Sequence, residues 1–241
     1  MSASIRVERA GVRFVFDRQS RRVSPTMAQL RRRSLEVWGI REITCSIEPG
    51  ESVALIGASG AGKTTLLRAL GGVYAPDEGM VDVRGRIGTL LSVEAGLLSP
   101  LTGRENAVLI GVLNGLSRRR ARAALPEVHA GSGLGESFDR PVGSYSEGMR
   151  ARLGYAVAEQ AEPNVLLLDE VHEALDHEFR DTVEASARRL LAAGGIVVAA
   201  GHDHLLLERL CTRALLLQEG RLVADGEFEE IKSRYLAEEG L

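Results

Sequence analysis

SVALIGASGAGKTT, residues 52 to 65, decides the reading of this chain. SVALIG is apolar on both faces and too short for a core helix, so it reads as a buried strand covered on both sides. GASGAGKTT, starting at Gly57, fits G-x-x-x-x-G-K-[ST] directly after that strand and opens a helical pattern, the context that makes this phosphate-loop signal specific. Gly57, Gly60 and Gly62 let backbone N–H groups turn inward onto phosphates, and the helix start beyond adds the positive end of its dipole. Lys63 is expected to bridge the β- and γ-phosphates and Thr64 to ligate Mg²⁺. Ser59 and Thr65 complete the nucleotide-binding set.

Two further runs share the character of SVALIG: NVLLLDE (164 to 170) and GIVVAAG (195 to 201). Alternation of such runs with helical patterns predicts an α/β fold around a mostly parallel sheet. Asp169 and Glu170 close the most apolar strand. Two adjacent acids at a strand end are costly to bury unpaired, which assigns Asp169 to the Mg²⁺ shell and Glu170 to the attacking water. His202, in AAGHDH, follows the last apolar strand, a place that puts it on the same sheet edge as Lys63 and Asp169. IRVERAGVRFVF (5 to 16) and RALLLQEGRLVADG (213 to 226) predict strands of an antiparallel hairpin layer, the second turning at Glu219-Gly220. From about 103 to 160 the strand signal gives way to GRENAVLIGVLNGLS, RRRARAALPEVHAGSG and SEGMRARLGYAVAEQA, which predict a helical subdomain inserted between sheet strands.

The chain has 241 residues, 44% hydrophobic and 26% charged, with a formal net charge of -3. That describes a single globular nucleotide-binding unit with no global pull toward nucleic acid. The charge is uneven: Arg18, Arg21, Arg22, Arg31, Arg32 and Arg33 face no acid between residues 18 and 33. A solvated loop and a surface for anionic headgroups or an acidic partner both fit this segment. Cys45 and Cys211 are too far apart in sequence for a metal or redox pair and are expected in the core of a protein from a reducing compartment. No run of about 20 apolar residues is present, so any membrane span would come from another chain.

The most specific stretch after the phosphate loop is YSEGM, residues 145 to 149, opening MRARLGYAVA. With it the chain resembles the ATP-binding cassette (ABC) ATPases, whose signature, usually LSGGQ, stands at this place with Ser146 and Gly148 retained. DEVHEALD (169 to 176) resembles the family's second phosphate-site motif and the loop after it, and His202 falls at its switch histidine. The resemblance covers about residues 5 to 238. It implies a P-loop ABC ATPase core with a mostly parallel sheet, an antiparallel β layer and an inserted helical subdomain. It also implies a homodimer in which two ATP molecules lie sandwiched head to tail, Ser146 and Gly148 of one chain completing the site of the other. Lys63, Glu170 and His202 would then be catalytic.

A narrower resemblance lies in PLTGREN (100 to 106), YSEGMRARLGYAVA (145 to 158), DEV (169 to 171) and the basic insertion of about 17 to 37 before WGIREITCSIEPGE. These are similar to the ATPases of bacterial exporters of O-antigen, capsule, galactan or teichoic-acid type polymers, which implies ATP-driven export of a lipid-linked polysaccharide. It further implies a separate transmembrane permease and a place at the cytoplasmic face of the membrane. A soluble non-transport ABC ATPase, or an ABC ATPase serving another substrate, is the alternative. By position in the family, Phe14 is the aromatic that stacks on adenine, with Phe16 and Trp38 as alternatives. The chain departs from the family at IGTLLSVEAGLL, where the usual glutamine is missing. Ser92 stands there as the third metal-side residue beside Thr64 and Asp169, with Glu94 two positions on. Glu147 replaces a small signature residue and must point away from the phosphates or be balanced by Arg150 or Arg152. No carbohydrate-binding module is expected after the cassette. Deleting residues 18 to 33 is predicted to leave ATP binding intact, checked by equilibrium titration with a fluorescent ATP analogue; loss of folding would make the segment structural.

Overall fold

The computed structural model describes residues 3–16, 35–90, 96–169, 177–201 and 204–239. In chain order the elements begin with β1 (Ser4–Phe16), β2 (Leu35–Ile47), β3 (Ser52–Ile56), α1 (Lys63–Leu70), β4 (Glu78–Arg84) and β5 (Ile87–Leu90). A helical stretch follows: α2 (Gly103–Leu113), α3 (Arg118–Ala123), α4 (Leu125–Ser132) and, after two short 3-10 turns, α5 (Glu147–Glu159). The chain then alternates β6 (Val165–Asp169), α6 (His177–Ala192), β7 (Ile196–Ala200) and α7 (His204–Leu210) and closes with β8 (Arg213–Gln218), β9 (Arg221–Glu227) and α8 (Phe228–Glu239).

Six strands form the main sheet in the order β5-β6-β7-β3-β8-β9, and β2-β1-β4 form a second, antiparallel sheet. β3, β6 and β7 are buried at every position, which is why their sequences are continuous apolar runs rather than alternating ones. One cluster, with Ile5, Val7, Ile40, Ile43, Leu66 and Leu70, fills the space among the second sheet, α1 and the main sheet. Another, with Tyr155, Phe179, Leu207 and Phe228, covers the main sheet's other face. A third lies within the helical stretch around Phe138, Leu153 and Val157.

β1 shows how a long strand keeps one face buried through an irregularity. Its buried set is Ile5 and Val7, then Ala10 and Val12, a change of phase that a regular strand cannot make. The register shifts between Val7 and Ala10, where Arg9 takes φ 45° and its N–H donates to Thr44 Oγ1 at 2.9 Å. This is a bulge, an extra residue that re-aims the strand.

The structure corrects one expectation. RALLLQEGRLVADG is an antiparallel hairpin, with Glu219 at φ 48° and Gly220 at φ 77° forming its turn, but it does not join IRVERAGVRFVF in a separate layer. β8 pairs in parallel with β3 and extends the main sheet. The reason is burial: Ala214 to Leu217 are all within 1% of fully buried, a central-strand pattern, and only β9 alternates as an edge strand with one wet face does. β2 is a second difference. Its 13 residues begin at Leu35, inside the range assigned to the basic insertion. Residues 17–34 lie outside the described residues.

Candidate functional site

The parallel strands bring their C-terminal ends to one edge. Leu55 of β3 is level with Ala200 of β7, and Ala200 is level with Asp169 of β6. β7 thus separates the strand before the phosphate loop from the strand that carries Asp169, a backbone gap of about 10 Å at ordinary strand spacing. Thr64, at the start of α1, closes that gap. Its hydroxyl donates to Asp169 Oδ1 at 3.2 Å, and Asp169 is buried.

The phosphate loop between β3 and α1 is shaped by three glycines with different duties. Gly57, at φ 148°, has the Leu217 carbonyl oxygen 2.2 Å from where a Cβ would stand, and Gly62, at φ 105°, has the Gly39 carbonyl oxygen at 2.5 Å. Both are places where the loop is pressed against a neighbouring backbone. Gly60, at φ 81°, has open space around it and is needed for its conformation alone. The β8–β9 turn latches the arrangement: the Gly220 N–H donates to the Ala61 carbonyl at 3.0 Å, and the Arg41 N–H of β2 donates to the Gly220 carbonyl at 2.7 Å.

α1 has Gly62 as its N-cap, with no side-chain cap and no acid in its first turn, so its first N–H groups and dipole end offer a place for an anion. Lys63 is 6% exposed and folds back to donate to the carbonyl oxygens of Gly57 at 2.6 Å and Ala58 at 3.0 Å. An ammonium this buried, held by two carbonyl oxygens, is a strong local cation. Ser59 and Gly60 are exposed at the loop's tip and Thr65 is half-buried behind it.

Phe14 lies on β1 opposite Val37 of β2. A Cβ on Gly39 would stand 2.6 Å from the Phe14 ring and 2.9 Å from Thr65 Cγ2, so one bare glycine lets the ring and the start of α1 share a face. Tyr74 meets the Phe14 ring edge-on at 5.4 Å. The Trp38 ring has the guanidinium groups of Arg13 and Arg41 at 5.7 and 5.4 Å from its centre. Sequence reasoning missed Gly39 and Tyr74. No motif marks Gly39; only its closeness to three elements does.

Ser146 occupies a different place. It is the N-cap of α5, its Oγ accepting from the Met149 N–H at 3.2 Å. It lines an open cleft of ≈ 660 Å³ with Gly133, Leu134, Glu147, Gly148 and Arg152, to which no phosphate-loop residue contributes. Ser146 and Glu147 are exposed. Glu147 stands in the first turn of α5, where a carboxylate is favoured by the helix dipole. Arg152 spreads over the Phe179 ring at 5.1 Å. Glu170, His202, Ser92 and Glu94 lie outside the described residues, and of Phe16 only the backbone is described.

Among the described residues no helix is long and apolar enough to cross a membrane. Both cysteines fall in packed surroundings: burial pushes the Cys45 thiol up to about 11 and the Cys211 thiol up to about 12.

A phosphate loop whose strand is separated by one strand from an acidic strand end defines a nucleotide-binding protein. The family follows from comparison. The ABC transporter family matches residues 40–173, more than half of the chain, and the chain belongs to that family. Among its relatives is the O-antigen export system ATP-binding protein RfbB of Klebsiella pneumoniae, 36% identical over 196 residues, 81% of this chain and 80% of that one. RfbB of Myxococcus xanthus is 35% identical over 199 residues, 83% of this chain but 46% of that one. The teichoic acids export ATP-binding protein TagH of Listeria innocua is 30% identical over 198 residues, 82% of this chain and 59% of that one. The chain therefore spans about half the length of two of these relatives. In structure it is similar to the ATP-binding cassette MJ0796, solved as a dimer in a post-hydrolysis state with ADP and Pi. The TM-score is 0.74 at 20% identity, over 93% of this chain and 98% of that one.

The two packing glycines and the conformational one make different predictions. Gly57→Ala should cost more than Gly60→Ala, which pays only for its left-handed backbone, about 1–2 kcal/mol. Urea unfolding of the two variants checks this, and equal midpoints would contradict the packing role of Gly57.

Proposed function

We propose that the chain is the ATP-hydrolysing subunit of an ABC transporter that exports a lipid-linked polysaccharide across the cytoplasmic membrane through a separate permease. The observation that carries the hydrolytic part is the Thr64–Asp169 contact, which joins the phosphate loop to the acidic strand end across an intervening strand. The polymer class is supported by the relatives' names, O-antigen and teichoic acids export, and by PLTGREN and YSEGM in this sequence.

The residues fit a nucleotide with Mg²⁺. Two neighbouring oxygens of an octahedral Mg²⁺ shell at 2.0–2.1 Å lie about 3 Å apart, and the Thr64 and Asp169 oxygens are 3.2 Å apart. Bound there, the ion would neutralise charge on the phosphates. Ser92 is our third candidate for that side, with Glu94 as the alternative. Lys63 leaves its two carbonyls to meet the β- and γ-phosphates, and the N–H groups from Gly57 to Thr65 hold their oxygens. Phe14 takes the adenine, its ring already fixed against Tyr74 and Gly39. Glu170 orients and deprotonates the attacking water, and His202 contacts the γ-phosphate from the end of β7.

One chain supplies only half of this. Ser146 and Gly148 lie in a cleft apart from the phosphate loop, and a second copy turned head to tail would bring them to the nucleotide. The dimeric cassette to which the fold is similar supports that assembly. Glu147 then faces the partner's phosphates from a helix start, with Arg152 in the same cleft to offset its charge.

Glu170→Gln is expected to bind ATP and hydrolyse it at least about 100-fold more slowly, since the amide keeps the shape and loses the base. Size-exclusion chromatography with ATP and Mg²⁺ should then show a dimer that disperses when ATP is removed. A variant that binds ATP and elutes as a monomer throughout would contradict this role for Glu170.

A further inference from the structure

No residue of PLTGREN lines the cleft that holds Ser146, yet every one of its last five residues is engaged around the turn that presents this serine. Thr102 caps α2 through its hydroxyl, which accepts from the Glu105 N–H at 3.2 Å, and the Glu105 carboxylate accepts from the Thr102 N–H at 2.9 Å. These two bonds are a capping box, and the Thr102 N–H together with its hydroxyl, which donates to the same carboxylate at 3.0 Å, holds the Glu105 carboxyl below the usual range. Gly103 leaves no room for a side chain: a Cβ would be 2.4 Å from Tyr145 Oη and 2.8 Å from the Phe138 carbonyl oxygen.

Arg104 grips Asp139 with two parallel bonds, Nε to Oδ1 at 2.6 Å and Nη2 to Oδ2 at 3.1 Å, while its guanidinium lies 5.2 Å from the centre of the fully buried Phe138 ring. Asn106, with no exposed surface, donates to the carbonyls of Leu98, Leu101 and Thr102 and accepts from the Leu98 N–H at 2.8 Å. Between these anchors the backbones of 99–103 and 140–143 run together. Val142 N–H donates to the Leu101 carbonyl at 2.9 Å, Gly143 N–H to the Ser99 carbonyl at 2.8 Å, and Gly103 N–H to the Arg140 carbonyl at 3.2 Å. Tyr145, buried and immediately before Ser146, is tied down by its hydroxyl, which donates to the Ser137 carbonyl at 2.6 Å.

We propose that Gly103, Arg104 and Asn106, acting through Tyr145 and Asp139, are positioning residues for Ser146: they fix the turn that holds the serine at the start of α5, and so set how well one chain completes the nucleotide site of its partner. This rests on the head-to-tail reading above. It goes beyond that reading by assigning a role in closure to a motif that does not line the Ser146 cleft. A bidentate Arg–carboxylate pair and a packed glycine are directional constraints, suited to holding a side chain within a fraction of an ångström. A misplacement of about 1 Å at a site can cost on the order of 100-fold in rate.

The test uses the full chain with Arg104→Met, Tyr145→Phe and the exchange pair Arg104→Asp with Asp139→Arg. Three quantities are measured: affinity for a fluorescent ATP analogue, kcat and KM for ATP, and ATP-dependent dimerisation in the Glu170→Gln background. Arg104→Met and Tyr145→Phe should lower kcat and weaken dimerisation by about 10- to 100-fold, with analogue affinity and KM within about twofold of wild type. The exchange pair should recover dimerisation relative to either of its single changes. Unaltered dimerisation and kcat in both Arg104→Met and Tyr145→Phe would overturn the proposal. So would a loss of analogue affinity that parallels the loss of kcat, which marks general unfolding rather than positioning. A wild-type chain that binds the analogue but neither hydrolyses ATP nor dimerises would instead refute the ATPase reading on which the proposal stands.

Discussion

A buried ammonium has to be matched by dipoles on every side, and Lys63 imposes that requirement on its surroundings. It sits at the first position of α1, 6% exposed, with the carbonyls of Gly57 and Ala58 turned toward it. Turning those carbonyls inward demands backbone conformations that only glycine adopts without cost. It also demands that the loop lie flat against β8 and β2, where a single methyl at Gly57 or Gly62 would strike a carbonyl oxygen. The hairpin turn at Glu219-Gly220, the bare Gly39 on β2 and the buried central strands are conditions for that loop. The fold is in this sense a frame around one cation, and we propose that phosphate oxygens replace its two carbonyls when a nucleotide binds.

The second constraint is that the acidic strand end does not adjoin the phosphate loop. β7 runs between them, level with both. A short hydroxyl on α1 therefore has to meet a carboxylate carried two strands away, and the Thr64–Asp169 contact is the result. β7 itself ends on that edge, between the two motifs. His202, two residues beyond β7 in the sequence, lies outside the described residues, and we propose it for the γ-phosphate.

Sequence made some of this legible and left other parts hidden, for physical reasons. The three central strands announced themselves because burial on both faces forbids polar residues within them. The phosphate loop was legible because its glycines, lysine and threonine have fixed spacing. β2 was not, since GIREITCSI mixes exposed charges with buried Ile40 and Ile43 across a bulge at Glu42, φ 54°, which breaks the alternation that identifies a strand. β8 was assigned to the wrong sheet because a hairpin pattern is local, whereas its partner β3 lies more than 150 residues earlier. Gly39 and Tyr74 gave no signal because their roles exist only where separate elements meet. PLTGREN was visible as a motif and opaque as a mechanism until Arg104 was found on Asp139 and Gly103 beneath Tyr145.

The central claim is that the nucleotide site is shared between two chains. It is tested most directly by mixing a Ser146→Arg chain with a Lys63→Ala chain and following ATP photocrosslinking. In such a mixed pair one composite site carries both lesions and the other carries none. The account predicts that mixing restores stable ATP-dependent pairing and strong labelling of the Ser146→Arg chain, whose own phosphate loop is intact and whose partner supplies a normal serine. Labelling of that chain that stays at the level of its own homodimer, however much Lys63→Ala chain is added, would contradict a shared site.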